Sequence, residues 1–274
     1  MTSWDRDLAD FRASHRLTRR TLAGLEWEYV ACGRGPGTLL ILPGCLAVAE
    51  TAFRYIRRFE PHRRVIAPTY PEGAATMAQL TAGLAELIRA EGAPAAVIGG
   101  SYSGLVAQCL VRAAPPLVER LVLSDTGVPR PGRARAMAAL APLIRRGPLP
   151  LLRGLLRAGV GLSMAQLPAQ RSFWWRYFSA RIAGISRAAC LSHLAIWRDF
   201  DRGCVFSPAD LAAWPGEMLI IEAEFDGLFR RPEQERLRDL YPRARVHTFA
   251  NSPHGASLAR MDDYIELIAG FLGL

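Results

Sequence analysis

The sequence predicts an α/β fold in which a mostly parallel central sheet is flanked by helices and carries an inserted, all-helical cap. Short apolar runs typical of buried strands alternate with helical patterns along residues 1–127. Residues 128–213 then show helical patterns alone, and the alternation resumes over residues 214–274. We therefore expect one α/β core encoded in two parts, with the cap between them.

The first part of the core begins with a polar lead-in over residues 1–15. An alternating pattern on both sides of Ala23 and Gly24 follows, which is typical of a β-hairpin. The glycines of residues 33–37 then turn the chain into a continuous apolar run, which suits a strand buried on both faces. Buried strands are expected at residues 38–42, 64–68, 95–99 and 119–124, and helices at residues 50–59, 76–91 and 103–113.

The predicted cap differs from the core in periodicity and in charge. Its helices are expected at residues 133–146, 149–162, 171–182 and 188–200. The chain has no lysine, and residues 128–213 hold 13 arginines against three acidic residues, so the formal net charge of +9 comes from this segment. In the second part of the core, strands are predicted at residues 218–223 and 244–249, and helices at residues 232–240 and 262–272.

The segment Gly99-Gly100-Ser101-Tyr102-Ser103 presents one serine between a strand pattern and a helix pattern. This arrangement is typical of the G-x-S-x-G nucleophile elbow, in which small neighbours let the strand and the helix approach closely. Ser103 occupies the position of the second glycine. Neither a G-x-G-x-x-G motif nor a P-loop lysine is present, so the turn does not predict a nucleotide site.

A serine hydroxyl is a weak nucleophile, and it needs a general base together with a group that orients the base. His254 is the favoured base, because it lies in a loop of turn-forming residues directly after a predicted strand. The other four histidines fall in the lead-in, a charged turn, a cap helix and the interior of a strand, where structural roles are commoner: His15, His62, His193 and His247.

Asp226 is the favoured orienting acid. It follows the strand predicted at residues 218–223, and one helix and one strand separate it from His254. That spacing places both side chains at the carboxyl edge of a parallel sheet, where open α/β sheets hold their sites. Asp125, which directly follows the preceding strand, stays open as the alternative acid.

The order Ser101, Asp226, His254 is that of the α/β-hydrolase superfamily, which the sequence resembles from about residue 25 to residue 272. The resemblance implies the α/β-hydrolase fold. It also implies that Ser101 is the nucleophile, that His254 is the general base and then the acid, and that Asp226 is the orienting carboxylate. Short motifs resemble the maspardin-like branch of the superfamily at residues 42–45, 66–71 and 240–245.

The resemblance further implies an oxyanion hole made by the backbone N–H groups of Tyr102 and Cys45. Pro43 stands where the commoner members have a histidine, and proline has no N–H, whereas Cys45 keeps its own donor. Leu46 stays open as an alternative source of that donor. An aspartate nucleophile is excluded by Ser101. No metal and no cofactor are predicted, because no pair of histidine or cysteine residues has ligand spacing.

The excess positive charge does not predict nucleic-acid binding, since no part of the sequence resembles a known binding module. Leucines and arginines are mixed over residues 139–157. They fit an apolar pocket with a cationic rim, or simply a cap that packs its leucines on the core and leaves its arginines solvated. A small-molecule or acyl substrate, either free or bound to a carrier, is the expected partner, and contact between the cap and a membrane surface stays open. Oligomeric state is not determined by these patterns.

The expected location is the cytoplasm. Five cysteines are widely spaced and show no disulfide or zinc pattern, which favours a reducing compartment. No signal peptide is recognised, and no apolar run is long enough to span a membrane.

These observations favour a serine hydrolase that cleaves a carboxylic ester or thioester of an apolar or amphipathic acyl group through an acyl-enzyme. Two alternatives stay open. The same triad could perform acyl transfer or elimination in a biosynthetic pathway after the cap excludes water, or the chain could be a maspardin-like binding protein without turnover.

Overall fold

A computed structural model of the chain describes residues 2–44, 46, 48–164 and 170–274, without the side chains of residues 162–164. In this part of the chain, eight strands form one sheet in the order β1-β2-β4-β3-β5-β6-β7-β8. The strands are β1 Leu17–Leu22, β2 Leu25–Cys32, β3 Thr38–Ile41, β4 Arg64–Thr69, β5 Ala95–Gly100, β6 Val118–Ser124, β7 Glu217–Phe225 and β8 Arg245–Pro253.

The predicted mostly parallel sheet is confirmed. Strands β3 to β8 are joined by parallel pairings, whereas β1 pairs antiparallel with β2, and β2 pairs antiparallel with β4. The antiparallel β1–β2 pair is the predicted hairpin, and its register brings Leu22 opposite Leu25 around a turn in which Ala23 and Gly24 both have positive φ. Because β5 to β8 are neighbours and parallel, their carboxyl ends lie side by side.

Helices pack on both faces of the sheet. Alternate residues of β3 point to opposite faces, so Leu40 belongs to one buried cluster, and Leu39 and Ile41 belong to the other. This two-sided burial explains the continuous apolar run at the third strand. The helices are α1 Ser3–Ser14, α2 Phe53–Phe59, α3 Met77–Glu91, α4 Tyr102–Ala113, α5 Pro131–Arg146, α6 Leu149–Met164, α7 Arg171–Gly184, α8 Arg187–Gly203, α9 Arg231–Leu240, α10 Ala256–Ala259 and α11 Met261–Leu272.

Helices α5 to α8 occupy the stretch between β6 and β7 in which only helices were expected. Helix α8 is tied to the core near the start of α3, where the Ser192 hydroxyl donates to the Ala74 carbonyl at 2.6 Å and Asp199 accepts the Met77 N–H at 2.7 Å. These bonds hold α8 against the body of the molecule. Among the described residues, no helix is both long enough and apolar enough to cross a lipid bilayer.

The packing of helices α5 to α8 departs from the expected division between buried leucines and solvated arginines. Leu151 and Leu155 of α6 are exposed. Arg133 of α5 is instead largely buried and pairs with Asp201 at 2.6 Å and with Glu233 of α9 at 3.0 Å. A buried guanidinium needs such charge partners to offset the loss of hydration. These largely buried ion pairs therefore connect α5 to α8 and to α9.

Candidate active site

Ser101 lies in a sharp turn between β5 and α4. Its φ of 52° and ψ of −122° form a strained backbone conformation for a residue with a side chain. A Cβ added at Gly99 would lie 2.5 Å from the Ser103 carbonyl oxygen, and one added at Gly104 would lie 2.5 Å from Thr126 Oγ1. Both glycines are thus required by the close approach of neighbouring backbone and side chain, which is the geometry of a nucleophile elbow.

Ser103, which replaces the second glycine of the motif, has a structural role. Its side chain is completely buried, and Tyr70 Oη lies 2.8 Å from its hydroxyl. The Ser103 hydroxyl in turn donates to the Pro43 carbonyl in the loop after β3. Tyr70 is then the donor to Ser103, because the Ser103 proton is already used. This chain of bonds anchors the loop after β3 to the elbow.

Ser101, His254 and Asp226 form a continuous hydrogen-bonded line. Ser101 Oγ lies 3.1 Å from His254 Nε2, and His254 Nδ1 lies 2.8 Å from Asp226 Oδ2. The other carboxylate oxygen of Asp226 accepts the backbone N–H groups of Leu228 and Phe229 at 2.7 and 2.8 Å. Since a carboxylate accepts only, Nδ1 carries the proton, and Nε2 presents its lone pair to the serine hydroxyl.

The environment of His254 shifts the pKa of the imidazole upward. Burial lowers this pKa, but the hydrogen bond to Asp226, the charge of Asp226 and the charge of Asp125 together outweigh burial. The protonated ring is therefore stabilised where it stands. A histidine with these neighbours can accept a proton from Ser101 and hold it.

Asp125 reaches the same place but makes different contacts. It follows β6, and its Oδ2 accepts the backbone N–H groups of Gly255 and Ala256 at 3.1 and 3.0 Å. The alternative acid thus binds the chain just after His254, whereas Asp226 binds the ring. Burial, opposed by the His254 charge and reinforced by Asp226, raises the pKa of Asp125 to about 6.

We expect Asp125→Asn to become more stable relative to wild type as the pH rises. The folded-state pKa of Asp125 lies above its ordinary value of 3.8, so its stabilising contribution is present below that value and is lost as the pH rises through about 6. Asparagine is neutral throughout. Urea denaturation at pH 4 and pH 7.5 should give a difference in free energy of unfolding that shifts by about 1–3 kcal/mol in favour of the variant.

The exposed Asp239 of α9 provides the control for this measurement. Asp239→Asn should differ from wild type by the same small amount at both pH values, because the carboxylate is solvated. A difference for Asp125→Asn that does not change with pH would contradict the assignment of Asp125 as a buried, destabilised carboxylate.

Helices α5 and α8 contribute side chains beside the elbow. The Tyr102 ring lies 5.9 Å from the Trp197 ring of α8, and the Arg133 guanidinium of α5 lies 5.4 Å from Trp197 and 5.7 Å from Phe229. Phe229 in turn lies 5.7 Å from the His254 ring. These contacts link side chains from both parts of the core and from the inserted helices in one series that runs from Tyr102 to His254. Sequence reasoning did not single out Trp197 or Phe229.

Of the two predicted oxyanion donors, the structure describes Tyr102 and does not describe Cys45. Tyr102 is the first residue of α4, and a helix leaves the N–H groups of its first turn without an intrahelical acceptor, so its amide is available beside Ser101. Cys45 lies outside the described residues. The adjoining Pro43 is described, and its carbonyl is the acceptor held by Ser103.

One cluster of potential metal ligands occurs among the described residues. Atoms of His15, Cys32 and Glu60 lie within 4.8 Å of one another. Sequence spacing could not indicate them, because His15 follows α1, Cys32 ends β2 and Glu60 follows α2. His15 and Glu60 form an ion pair at 2.8 Å, and Cys32 pairs with Val65 at the start of β4, at the edge of the sheet opposite Ser101. The ion pair gives His15 and Glu60 protein partners, and we assign no ion to this cluster.

Comparison with known families gives one match that spans almost the whole chain. The model of a family described as "Alpha/beta hydrolase family" matches residues 6–267. No curated protein matches the sequence.

Solved structures with the same fold are numerous. A hydrolase from Pseudomonas aeruginosa is 21% identical, with a TM-score of 0.80 over 94% of this chain and 99% of that one. A thermophilic esterase from Thermogutta terrifontis is 18% identical, with a TM-score of 0.76 over 94% and 98%. An enol-lactonase from Burkholderia xenovorans is 16% identical, with a TM-score of 0.76 over 94% and 100%. At these identities the likeness shows a shared fold.

Proposed function

The chain belongs to the alpha/beta hydrolase family, and from this premise we propose that it is a serine hydrolase that cleaves carboxylic esters or thioesters. The observation that carries the proposal is the hydrogen-bonded line from Ser101 through His254 to Asp226. Nucleophile, base and orienting acid each have the partner that acyl transfer to serine requires. The narrower resemblance to the maspardin-like branch stays a prediction.

The proposed reaction has two steps. His254 Nε2 takes the Ser101 proton while Oγ attacks the acyl carbon, and the resulting imidazolium gives that proton to the departing alcohol or thiol. Water then attacks the acyl-enzyme, transfers its proton to His254 and releases the acid, and the proton returns to Ser101. Asp226 stays ionised throughout and stabilises the imidazolium that forms in each step.

The developing oxyanion needs donors fixed in advance. The Tyr102 N–H supplies one donor in this proposal, and the loop anchored by the bond between Ser103 and Pro43 supplies the other from Cys45 or Leu46. A donor of this kind typically contributes about 10² to 10³ in rate. The bond to Ser103 supports the proposal because it limits the movement of that loop.

We further propose that residues 128–213 act as a cap over the nucleophile. The contact between Trp197 of α8 and Tyr102, next to Ser101, supports this role. A cap of this kind shields the acyl group and can bury its apolar part. The proposed location is the cytoplasm, as the cysteine pattern favours.

The names of two related structures fit this substrate class. The Thermogutta protein is an esterase and the Burkholderia protein is an enol-lactonase, and a lactone is a cyclic ester. For this chain we propose an apolar or amphipathic acyl group, because Trp197 next to Tyr102 and Phe229 next to His254 provide apolar surface near the nucleophile.

Incubation of the protein with a fluorophosphonate probe, and with series of p-nitrophenyl esters and acyl thioesters, tests the proposal. We expect stoichiometric labelling and measurable turnover of at least one series. Labelling without hydrolysis of any member would favour acyl transfer or elimination by the same residues. A protein that is neither labelled nor active would overturn the hydrolase proposal and favour a binding role.

A further inference from the structure

Three buried polar atoms near the elbow have no hydrogen-bond partner among the described residues. They are Tyr102 Oη, His193 Nε2 and Trp197 Nε1. The Tyr102 ring lies 5.3 Å from the His193 ring and 5.9 Å from the Trp197 ring, so the three side chains form one cluster. A buried polar group without a partner destabilises the folded state, because it has lost its hydrogen bonds to water. A cluster of three beside the nucleophile therefore indicates a place built to receive a polar partner.

The backbone of α8 presents two of these side chains together. His193 and Trp197 are four residues apart, so they lie on the same face of the helix, and that face is turned toward Tyr102. The bonds from Ser192 to Ala74 and from Asp199 to Met77 hold the helix in this orientation. The cluster is thus fixed on both sides, by the elbow and by α8.

The hydrogen-bonding character of the cluster follows from the contact of His193 with its own helix. Its Nδ1 lies 2.8 Å from the Ala189 carbonyl, which can only accept, so Nδ1 carries the proton and Nε2 is an acceptor. Burial lowers the pKa of His193, which keeps the ring neutral. Trp197 Nε1 can only donate, and Tyr102 Oη can do either.

We propose that Tyr102, His193 and Trp197 form a subsite that binds an uncharged polar group of the substrate, such as a carboxamide or a hydroxyl. This inference rests on the proposed hydrolase function and names part of its substrate. The ligand's N–H or O–H donates to His193 Nε2, and its oxygen accepts from Trp197 Nε1 or Tyr102 Oη. Such a group gives His193 Nε2 a donor and gives one of the other two atoms an acceptor.

A carboxylate fits the subsite less well. Its oxygens would face the lone pair of His193 Nε2 without a proton between them. The charge of Glu72 acts on His193 and disfavours a second anion there. Arg133, whose guanidinium lies 5.4 Å from the Trp197 ring, already pairs with Asp201 and Glu233. The charges around the subsite therefore select a neutral group.

Three p-nitrophenyl esters of nearly equal shape test the inference: the 4-carbamoylbutanoate, the 5-methylhexanoate and the 4-carboxybutanoate. Homologues of each ester with one to four methylene groups between the ester carbonyl and the terminal group are included, so that at one length the polar end can reach the subsite. At the best length we expect kcat/KM for the ester with a terminal carboxamide to exceed that for the ester with a terminal isopropyl group by about tenfold or more. It should exceed that for the ester with a terminal carboxylate by a similar factor.

The substitutions Tyr102→Phe, His193→Leu and Trp197→Phe each remove one of the three unsatisfied polar atoms and keep an apolar side chain; His193→Leu also removes Nδ1, which bonds Ala189 of the same helix. Each should reduce the preference for the carboxamide by about 5- to 30-fold, without lowering the melting temperature, because each removes an unsatisfied group. Trp175→Phe and His62→Leu, at exposed positions, are the matched controls and should keep the preference.

Suppose that the ester with a terminal isopropyl group is hydrolysed at least as well as the ester with a terminal carboxamide at every chain length. This result would overturn the inference and leave the proposed function standing. If no ester is hydrolysed, calorimetric titration of Ser101→Ala with the methyl esters of the same acids decides the matter. Tighter binding of the carboxamide that is lost in the Ser101→Ala, His193→Leu double variant would support the subsite. Equal binding of all three, or none, would overturn it.

Discussion

Ser101→Ala should abolish fluorophosphonate labelling and lower kcat for the best ester by about 10⁴- to 10⁶-fold. The substitution removes the atom that forms the acyl bond in the proposed reaction and leaves the strained backbone at φ 52° with a residue of similar conformational preference. The remaining rate would come from the oxyanion donors and from substrate binding. Steady-state kinetics with the best ester, together with intact-protein mass spectrometry of the labelled sample, measures both effects.

Ser14→Ala is the matched control, because Ser14 is an exposed serine on α1. It should be labelled and active like wild type. Retained labelling of Ser101→Ala would show that another residue reacts with the probe, and retained turnover would remove Ser101 from the mechanism. A circular-dichroism melt of both variants separates these outcomes from misfolding.

Asp226→Asn should lower kcat by about 10⁴-fold. The Asp226 carboxylate accepts the Nδ1 proton at 2.8 Å, and an amide nitrogen in its place would donate to Nδ1 instead. The ring would then hold its proton on Nε2 and could not accept one from Ser101. The pH profile of kcat/KM gives a second readout, since the substitution removes the hydrogen bond to the Asp226 carboxylate and the charge of that carboxylate, the two largest influences that raise the pKa of His254.

Asp125→Asn separates the two carboxylates. It should cost far less activity, because Asp125 contacts the backbone of Gly255 and Ala256 rather than the imidazole. In the pH profile of kcat/KM for this variant, the acid limb should move to lower pH, because the charge of Asp125 also raises the pKa of His254. If Asp125→Asn lowered the activity more than Asp226→Asn does, Asp125 rather than Asp226 would be the residue that orients His254.

Most of the fold followed from the sequence because its elements satisfy local rules. The apolar run at residues 38–42 requires burial on both faces, and the structure has β3 at Thr38–Ile41 with that burial. The last strand was expected to end at residue 249 but continues to Pro253, and the short helix α10 was not expected. Both lie where turn-forming residues weaken the periodic signal, so tertiary contacts determine the local structure.

The candidate site was only partly accessible to sequence reasoning. The order of Ser101, Asp226 and His254 indicated which residues meet, since parallel strands bring their carboxyl ends to one edge. The cluster of Tyr102, His193 and Trp197 was missed, although the spacing of His193 and Trp197 places both on one helical face. Helical spacing alone does not tell whether that face meets the core or the nucleophile.

What the sequence determined by itself was the chemistry available at the elbow: one serine on a strained turn, and one histidine and two aspartates at strand ends. Only the tertiary structure distinguished the aspartates. The N–H groups of Leu228 and Phe229 hold Asp226 against the His254 ring, whereas Asp125 is engaged by the backbone after His254. The reason is physical: a strand pattern fixes which residues reach an edge of the sheet, but hydrogen bonds fix the direction of each carboxylate at that edge.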